Sequence, residues 1–116
     1  MMGVENVKVL GILGSHRADG VTAQLLQAVL KGAAASADTE LVNLNDYELR
    51  PDHDSQPNAD LDALEAKLMA ADVWVLAAPT YLGSLSGVMK NFCDCFRGRI
   101  ARFNSVGEAV PCLLYT

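Results

Sequence analysis

The sequence predicts an α/β fold in which helices cover one parallel β-sheet. Strand-like and helix-like segments alternate along the chain, in the order β-α-β-α-β-α-β. The run Val73–Ala78 (VWVLAA) is apolar at every position, as expected of a strand that is buried on both faces of a parallel sheet. Such an alternation requires crossover connections, which are almost always right-handed and place the helices on the faces of the sheet.

The first half of the chain supplies two strands and one helix. An apolar run over residues 7–13 predicts the first strand, and apolar residues at helical spacing over residues 22–37 predict the first helix. A short apolar segment over residues 39–44 predicts the second strand. Residues 45–58 carry Pro51, Pro57 and several Asp residues, which indicate a loop.

The second half repeats the pattern. A leucine stripe predicts a helix over residues 60–71, followed by the apolar strand over residues 73–78. Residues 79–86 read as a loop that contains Pro79 and Gly83, and the apolar positions after it predict a third helix over residues 87–100. A polar segment over residues 102–108 leads to a fourth strand over residues 110–115.

Composition narrows the class of protein. A chain of 116 residues suits one domain, which we place over residues 1–116. The net charge of −5, with only nine Lys and Arg residues, argues against nucleic acid as a partner.

No apolar run approaches the roughly 20 residues of a membrane-spanning helix, and no signal peptide is evident. We therefore expect a cytoplasmic protein without a membrane partner. The three cysteines lack metal-ligand spacing, so we expect reduced thiols and no metal site.

The loop after the first strand, GSHRADGVT, predicts a phosphate site. Ser15 and Thr22 offer hydroxyl donors, Arg17 offers a guanidinium, and the following helix offers the free N–H groups of its first turn. Gly14 would let the backbone approach a ligand closely. The alternative is an ordinary strand-to-helix connection in which Thr22 caps the helix. His16 would either contact the anion or face solvent.

The loop after the third strand, PTYLGS, could hold a flat heteroaromatic ring. Tyr81 offers an aromatic surface, and the loop around Gly83 offers backbone donors. Alternatively, Tyr81 packs on the protein and the glycine only turns the chain. In open parallel sheets, ligands bind beyond the carboxyl ends of the strands where the strand order reverses. We therefore expect the loops after the first and third strands to meet at one crevice.

Two segments, LGSHRADGVTAQLL at residues 13–26 and ADVWVLAAPTYLGSLSGVMKNFCD at residues 71–94, resemble the NADPH-dependent FMN reductase family of flavodoxin-like proteins. The resemblance implies a flavodoxin-like three-layer sandwich with strand order 2-1-3-4. It also implies that a fifth strand is missing and that the chain is incomplete at its C-terminus. It further implies an FMN cofactor whose phosphate is held by Ser15, Arg17 and Thr22. The flavin ring and ribityl chain would then meet Pro79, Thr80, Tyr81, Leu82, Gly83 and Ser84.

The function implied by the resemblance is that of an NAD(P)H-dependent oxidoreductase. Hydride would pass from NADPH or NADH to FMN and then to a small acceptor such as a quinone or a flavin. No catalytic side chain is expected, because the cofactor carries the chemistry. Members of that family often pair, so the resemblance also implies a homodimer or homotetramer. Two alternatives remain: a flavodoxin-type electron carrier, against which Arg17 argues, and a fragment that binds no flavin.

Overall fold

The computed structural model describes residues 7–50, 58–106 and 110–115, with side chains described only up to residue 96. The helices are α1 (Val21–Ala33), α2 (Ala59–Ala70) and α3 (Gly87–Val106), and a short 3-10 helix covers Leu44–Asp46. The strands are β1 (Val7–Leu13), β2 (Ala37–Asn43), β3 (Val73–Ala78), β4 (Thr80–Tyr81), β5 (Ser84–Leu85) and β6 (Val110–Tyr115).

Four parallel strands form the main sheet in the order β2-β1-β3-β6, which agrees with the predicted order 2-1-3-4. Leu13, at the end of β1, is in register with Asn43 of β2 on one side and with Ala77 of β3 on the other. The loops that follow these three strands therefore leave the sheet at the same edge.

Each face of the sheet has its own apolar core, so the predicted three layers are confirmed. On one face, Leu26 and Leu30 of α1 pack against residues of β1 and β3. On the other face, α2 and α3 cover the sheet, with Phe92 and Phe96 fully buried. Trp74 belongs to this second core, and its indole Nε1–H donates to the Leu68 carbonyl oxygen at 2.9 Å, so the buried indole N–H is satisfied.

Two predicted boundaries in the first half of the chain are wrong. Helix α1 ends at Ala33 and not at residue 37, and β2 begins at Ala37 and not at residue 39. Ala37 pairs with Val7 of β1, so the parallel ladder extends β2 into an alanine-rich stretch that local propensity assigns to a helix. The predicted loop over residues 45–58 starts with part of the 3-10 helix and ends at Asn58, the N-cap of α2, while residues 51–57 lie outside the described part.

Two further predictions are corrected in the second half. The predicted loop over residues 79–86 contains the hairpin β4–β5, whose turn residues Leu82 and Gly83 have φ values of 52° and 77°. Positive φ at both central positions is typical of the type I′ turns that close two-residue hairpins. Helix α3 runs to Val106, beyond the predicted end at residue 100, because no Gly or Pro follows Gly98 until Gly107. Among the residues that the structure describes, no helix combines the length and apolar character needed to cross a bilayer.

Candidate functional site

The loop after β1 (residues 14–20, the first loop) is joined by hydrogen bonds to the end of β3 and to the loop that follows it (residues 79–86, the hairpin loop). The Gly14 N–H donates to the Ala77 carbonyl oxygen at 2.8 Å. The Ser86 hydroxyl donates to the Gly14 carbonyl oxygen at 2.6 Å, and its side chain is completely buried. The two loops therefore meet at one edge of the sheet, as expected, and the Ser86–Gly14 hydrogen bond joins them.

Gly14 is required for helix packing. A Cβ atom added at this position would lie 2.9 Å from both Cβ and Cε of Met89, which is closer than real side-chain contacts allow. We expected Gly14 to permit the approach of a ligand. In the structure, its lack of a side chain permits the approach of α3 to β1, which brings the start of α3 under the first loop.

Ser15 lies at the base of the first loop and is buried. Its Oγ accepts a hydrogen bond from the Arg17 N–H at 3.2 Å, which leaves the hydroxyl proton available to a ligand. Its carbonyl oxygen accepts a hydrogen bond from the Asn45 side-chain amide. Asn45 is itself held by Asn43, whose side-chain oxygen accepts from the Asn45 N–H at 2.9 Å. Sequence reasoning missed Asn45, although Asn residues after a strand are a turn signal.

Helix α1 starts without a side-chain cap. Its N-cap residue is Gly20, which makes no side-chain cap hydrogen bond, and its first turn contains no acidic residue. Helix α2 differs, because the Asn58 side chain accepts from the N–H groups of Asp60 and Leu61, and acidic residues occupy its first turn. The start of α1 is thus suited to an external anion.

Thr22 sits in the first turn of α1 and is 4% exposed. The alternative prediction, in which Thr22 is the N-cap of the helix, is wrong, because Gly20 occupies that position. Thr22 is therefore the second residue of α1, in the first turn of the helix, next to the first loop.

Arg17 lies on the rim of the first loop, with 77% of its side chain exposed. Its Nε is 3.8 Å from the Asp19 carboxylate, which is 86% exposed. An exposed ion pair of this kind contributes at most about 1 kcal/mol, so it does not fix the guanidinium. Arg17 can consequently move toward an anion bound at the start of α1.

The hairpin loop presents its turn to solvent. Tyr81 is 48% exposed, and Leu82 is exposed over its whole side chain. Thr80, Gly83 and Ser84 are also exposed, and Pro79 is half-buried. Tyr81 also packs on the protein, because its ring stacks on His16, while about half of the residue faces solvent. The predicted ring contacts therefore form an accessible surface at the edge of the sheet.

His16 links the first loop to the hairpin loop. Its imidazole stacks on the Tyr81 ring, with centroids 6.4 Å apart and an angle of 18° between the planes. We expected His16 to contact an anion or to face solvent, and its ring packing on Tyr81 was not foreseen. The two predicted halves of the site are thus joined by a ring contact that the sequence did not predict.

Two cavities of similar size stand out among those in the described part of the molecule. One, of about 390 Å³, adjoins the first loop and is lined by His16, Leu44, Asn45, Tyr47, Leu49, Gly87, Val88 and Asn91. Its lining includes no residue of the predicted ring contacts, which form an open surface beside it. The other, of about 370 Å³, lies between the starts of β1 and β2 and the end of α2, at the opposite edge of the sheet.

Comparison with known proteins identifies the family. The sequence profile of the NADPH-dependent FMN reductase family matches residues 7–109. The chain is 33% identical over 117 aligned residues to an iron-sulfur flavoprotein of Methanocaldococcus jannaschii, covering 90% of this chain and 61% of that protein. It is 30% identical over 76 residues to an iron-sulfur flavoprotein of Archaeoglobus fulgidus, covering 59% of this chain and 37% of that protein. The chain therefore spans less than two thirds of either relative.

Solved structures share the architecture. A flavone reductase superposes with a TM-score of 0.69 at 26% identity, over 86% of this chain and 33% of that chain. The apo form of an NADH:FMN oxidoreductase superposes with a TM-score of 0.62 at 27% identity, over 77% of this chain and 49% of that chain. These likenesses confirm the flavodoxin-like fold. Together with the profile match over most of its length, they show that the chain belongs to the NADPH-dependent FMN reductase family.

Proposed function

We propose that the protein is an FMN-dependent oxidoreductase that takes hydride from NADPH or NADH and passes electrons to a small acceptor such as a quinone or a flavin. Family membership supports this proposal, as do the names of the flavone reductase and NADH:FMN oxidoreductase that share the fold. The observation that carries it is the uncapped start of α1, which lies beside a loop tied to the hairpin loop.

The FMN phosphate is proposed to bind at the start of α1. There it meets backbone N–H groups and the positive end of the helix dipole, with no acidic side chain in the first turn to compete. The Ser15 and Thr22 hydroxyls are proposed to donate to phosphate oxygens. Arg17 adds a mobile guanidinium at the rim, where a charge-assisted hydrogen bond to a phosphate is stronger than a neutral one.

The flavin ring is proposed to lie against the hairpin loop, in contact with Pro79, Thr80, Tyr81, Leu82, Gly83 and Ser84. The exposed type I′ turn offers backbone groups to the polar edge of the ring, and Tyr81 offers an aromatic face. FMN supplies the hydride chemistry when bound, while the protein binds and orients it and limits access of water. For this reason we assign no nucleophile or general base. We also propose a homodimer or homotetramer as the working form.

Titration with FMN and with riboflavin, which lacks the phosphate, tests the proposed cofactor site. Arg17→Ala should weaken FMN binding about 10- to 100-fold, as expected for the loss of a hydrogen bond to a charged group, and should leave riboflavin binding unchanged. Lys31→Ala is the matched control, because it removes the same charge from the last turn of α1. Equal weakening of FMN and riboflavin in Arg17→Ala would contradict the phosphate site.

Anaerobic stopped-flow mixing of the FMN-loaded protein with NADPH and NADH tests the activity. Direct bleaching of the flavin absorbance by either nucleotide is the expected result. A flavin that is reduced by dithionite but by neither nucleotide would favour an electron carrier. Failure of the chain to bind FMN at any concentration tried would show that these residues do not form the site by themselves.

A further inference from the structure

The cysteines of this chain do not match the cofactor named in its two relatives. Both relatives are called iron-sulfur flavoproteins. The common iron–sulfur clusters are held by four cysteine thiolates. The 116-residue sequence contains three cysteines, Cys93, Cys95 and Cys112, which is one fewer than such a cluster needs.

Two of the three cysteines lie on α3 and cannot face one cluster together. Cys93 and Cys95 are two positions apart, so their side chains leave the helix about 200° apart. Cys95 is 2% exposed and belongs to the apolar core that contains Phe92 and Phe96. Its thiol lies 3.8 Å from the Asn91 side-chain oxygen and donates to it. Cys95 is therefore a packed core residue.

Cys93 leaves α3 on the side opposite Cys95 and is half-buried, and its surroundings oppose the thiolate form that binds iron. Burial raises the pKa of the Cys93 thiol, nearby Lys90 lowers it, and the Asp94 carboxylate raises it, with a net upward shift. The third cysteine, Cys112, lies in β6 in register with Val75 of β3. Among the described side chains, no group of three or more His, Cys, Asp or Glu residues could hold a metal ion.

We infer that this chain builds no iron–sulfur cluster from its own residues, although it is similar to proteins named for one. If the proposed function holds, FMN is the redox centre that the residues of this chain bind. The inference about the cluster rests on the number and placement of the thiols. Only the role of FMN in it rests on the proposed function.

Anaerobic reconstitution tests the inference. The protein is incubated with ferrous iron, sulfide and a thiol reductant, desalted, and analysed for iron, acid-labile sulfide and visible absorbance. Cys93→Ser/Cys112→Ser is the matched control, which should retain the same trace of iron as the wild type. The inference would be overturned if the wild type bound iron and sulfide in fixed proportion and the variant did not. Half a cluster per chain would count as well, because two copies of the chain could share one cluster.

The wild type alone also decides the question if the double variant does not fold. Electron paramagnetic resonance of the reduced, reconstituted wild type should show no cluster signal, and a signal accounting for the bound iron would overturn the inference. FMN content measured on the same samples keeps the two proposals apart. Protein that binds neither iron nor FMN would contradict the proposed function and leave the inference about the cluster intact.

Discussion

The imidazole of His16 stacks on the Tyr81 ring, with the two centroids 6.4 Å apart and the planes inclined by 18°. His16 belongs to the first loop and Tyr81 to the hairpin loop, so this pair joins the two loops as the Ser86–Gly14 hydrogen bond does. A flat ligand that packs on the same face of Tyr81 has to displace the imidazole. If the flavin ring binds at the hairpin loop as proposed, His16 regulates its access to Tyr81.

His16→Ala should tighten FMN binding about two- to tenfold. An aromatic pair contributes about 0.5–1.5 kcal/mol beyond its buried area, and the flavin no longer has to break that contact. Quenching of flavin fluorescence during titration measures the effect. His16→Phe is the control, because it keeps a ring on Tyr81 and should bind FMN about as the wild type does. Weaker binding of FMN by His16→Ala, with riboflavin unaffected, would instead assign His16 to the phosphate.

Asp19→Asn should strengthen FMN binding a few-fold. Asp19 places a carboxylate 3.8 Å from Arg17 Nε, in the loop proposed to hold a phosphate, so it both competes for the guanidinium and repels the anion. Because both side chains are exposed, the gain should be larger at low salt, where surface charges are less screened. Titrations at two ionic strengths measure it.

Asp38→Asn is the matched control for this prediction. Asp38 is an exposed acid near the start of β2, at the opposite edge of the sheet, so its removal changes the net charge by the same amount. The control should leave FMN affinity unchanged at both salt concentrations. An equal gain in both variants would show that overall charge, and not the position of Asp19, controls affinity.

The fold was predictable where one short segment determines its own structure. The unbroken apolar run of β3 and the leucine stripe of α2 each specify an element, and alternation then specifies a parallel sheet. The boundaries of β2 were not predictable in this way. Ala37 becomes a strand residue because it pairs with Val7, a partner that no local window of sequence contains.

In the candidate site, too, the features set by local sequence were predictable and those set by distant partners were not. The Gly-containing first loop and the aromatic hairpin loop carry recognisable compositions, and the crossover rule brings them to one edge. The side chains that join them were not predictable. Ser86 bonds to Gly14 across 72 positions of sequence, and Asn45 bonds to Ser15 across 30. Single polar residues of this kind leave no periodic pattern, and their partners depend on the completed fold.

Ser86→Ala should destabilise the protein by about 1–3 kcal/mol. The buried Ser86 hydroxyl donates to the Gly14 carbonyl oxygen and accepts from the Met89 N–H at 3.2 Å, as a helix N-cap does for α3. Alanine removes the cap and leaves two buried polar groups without this partner. Urea denaturation measures the loss. Ser84→Ala, on the exposed strand β5, should change stability by less than about 0.5 kcal/mol. Equal losses in the two variants would contradict the role of Ser86.

Cys93 should make the stability fall at alkaline pH. Burial raises the pKa of its thiol in the folded protein, so the unfolded chain loses this proton at a lower pH. The folded state then binds more protons than the unfolded state, and the free energy of unfolding decreases as the pH rises above about 8.5. Denaturation of the wild type and of Cys93→Ala at neutral and alkaline pH measures it. If the difference in the free energy of unfolding between the two proteins stayed constant with pH, the prediction would be contradicted.

Gly14→Ala and Gly32→Ala should change stability in opposite directions. At Gly14 the new Cβ would lie 2.9 Å from the Met89 Cβ, so α3 must shift, at a cost of about 1–3 kcal/mol. At Gly32, in the last turn of α1, the new Cβ meets nothing within 4 Å, and alanine should stabilise the helix by up to about 1 kcal/mol. Thermal unfolding of both variants measures the difference.

The same pair of variants separates packing from ligand binding. Because Gly14 also carries the carbonyl oxygen that Ser86 binds, a shift of α3 should move the first loop away from the hairpin loop and weaken FMN binding. Gly32→Ala changes neither loop and should bind FMN like the wild type. If Gly14→Ala were as stable as the wild type and bound FMN equally well, the close approach of α3 to the first loop would not be what positions the site.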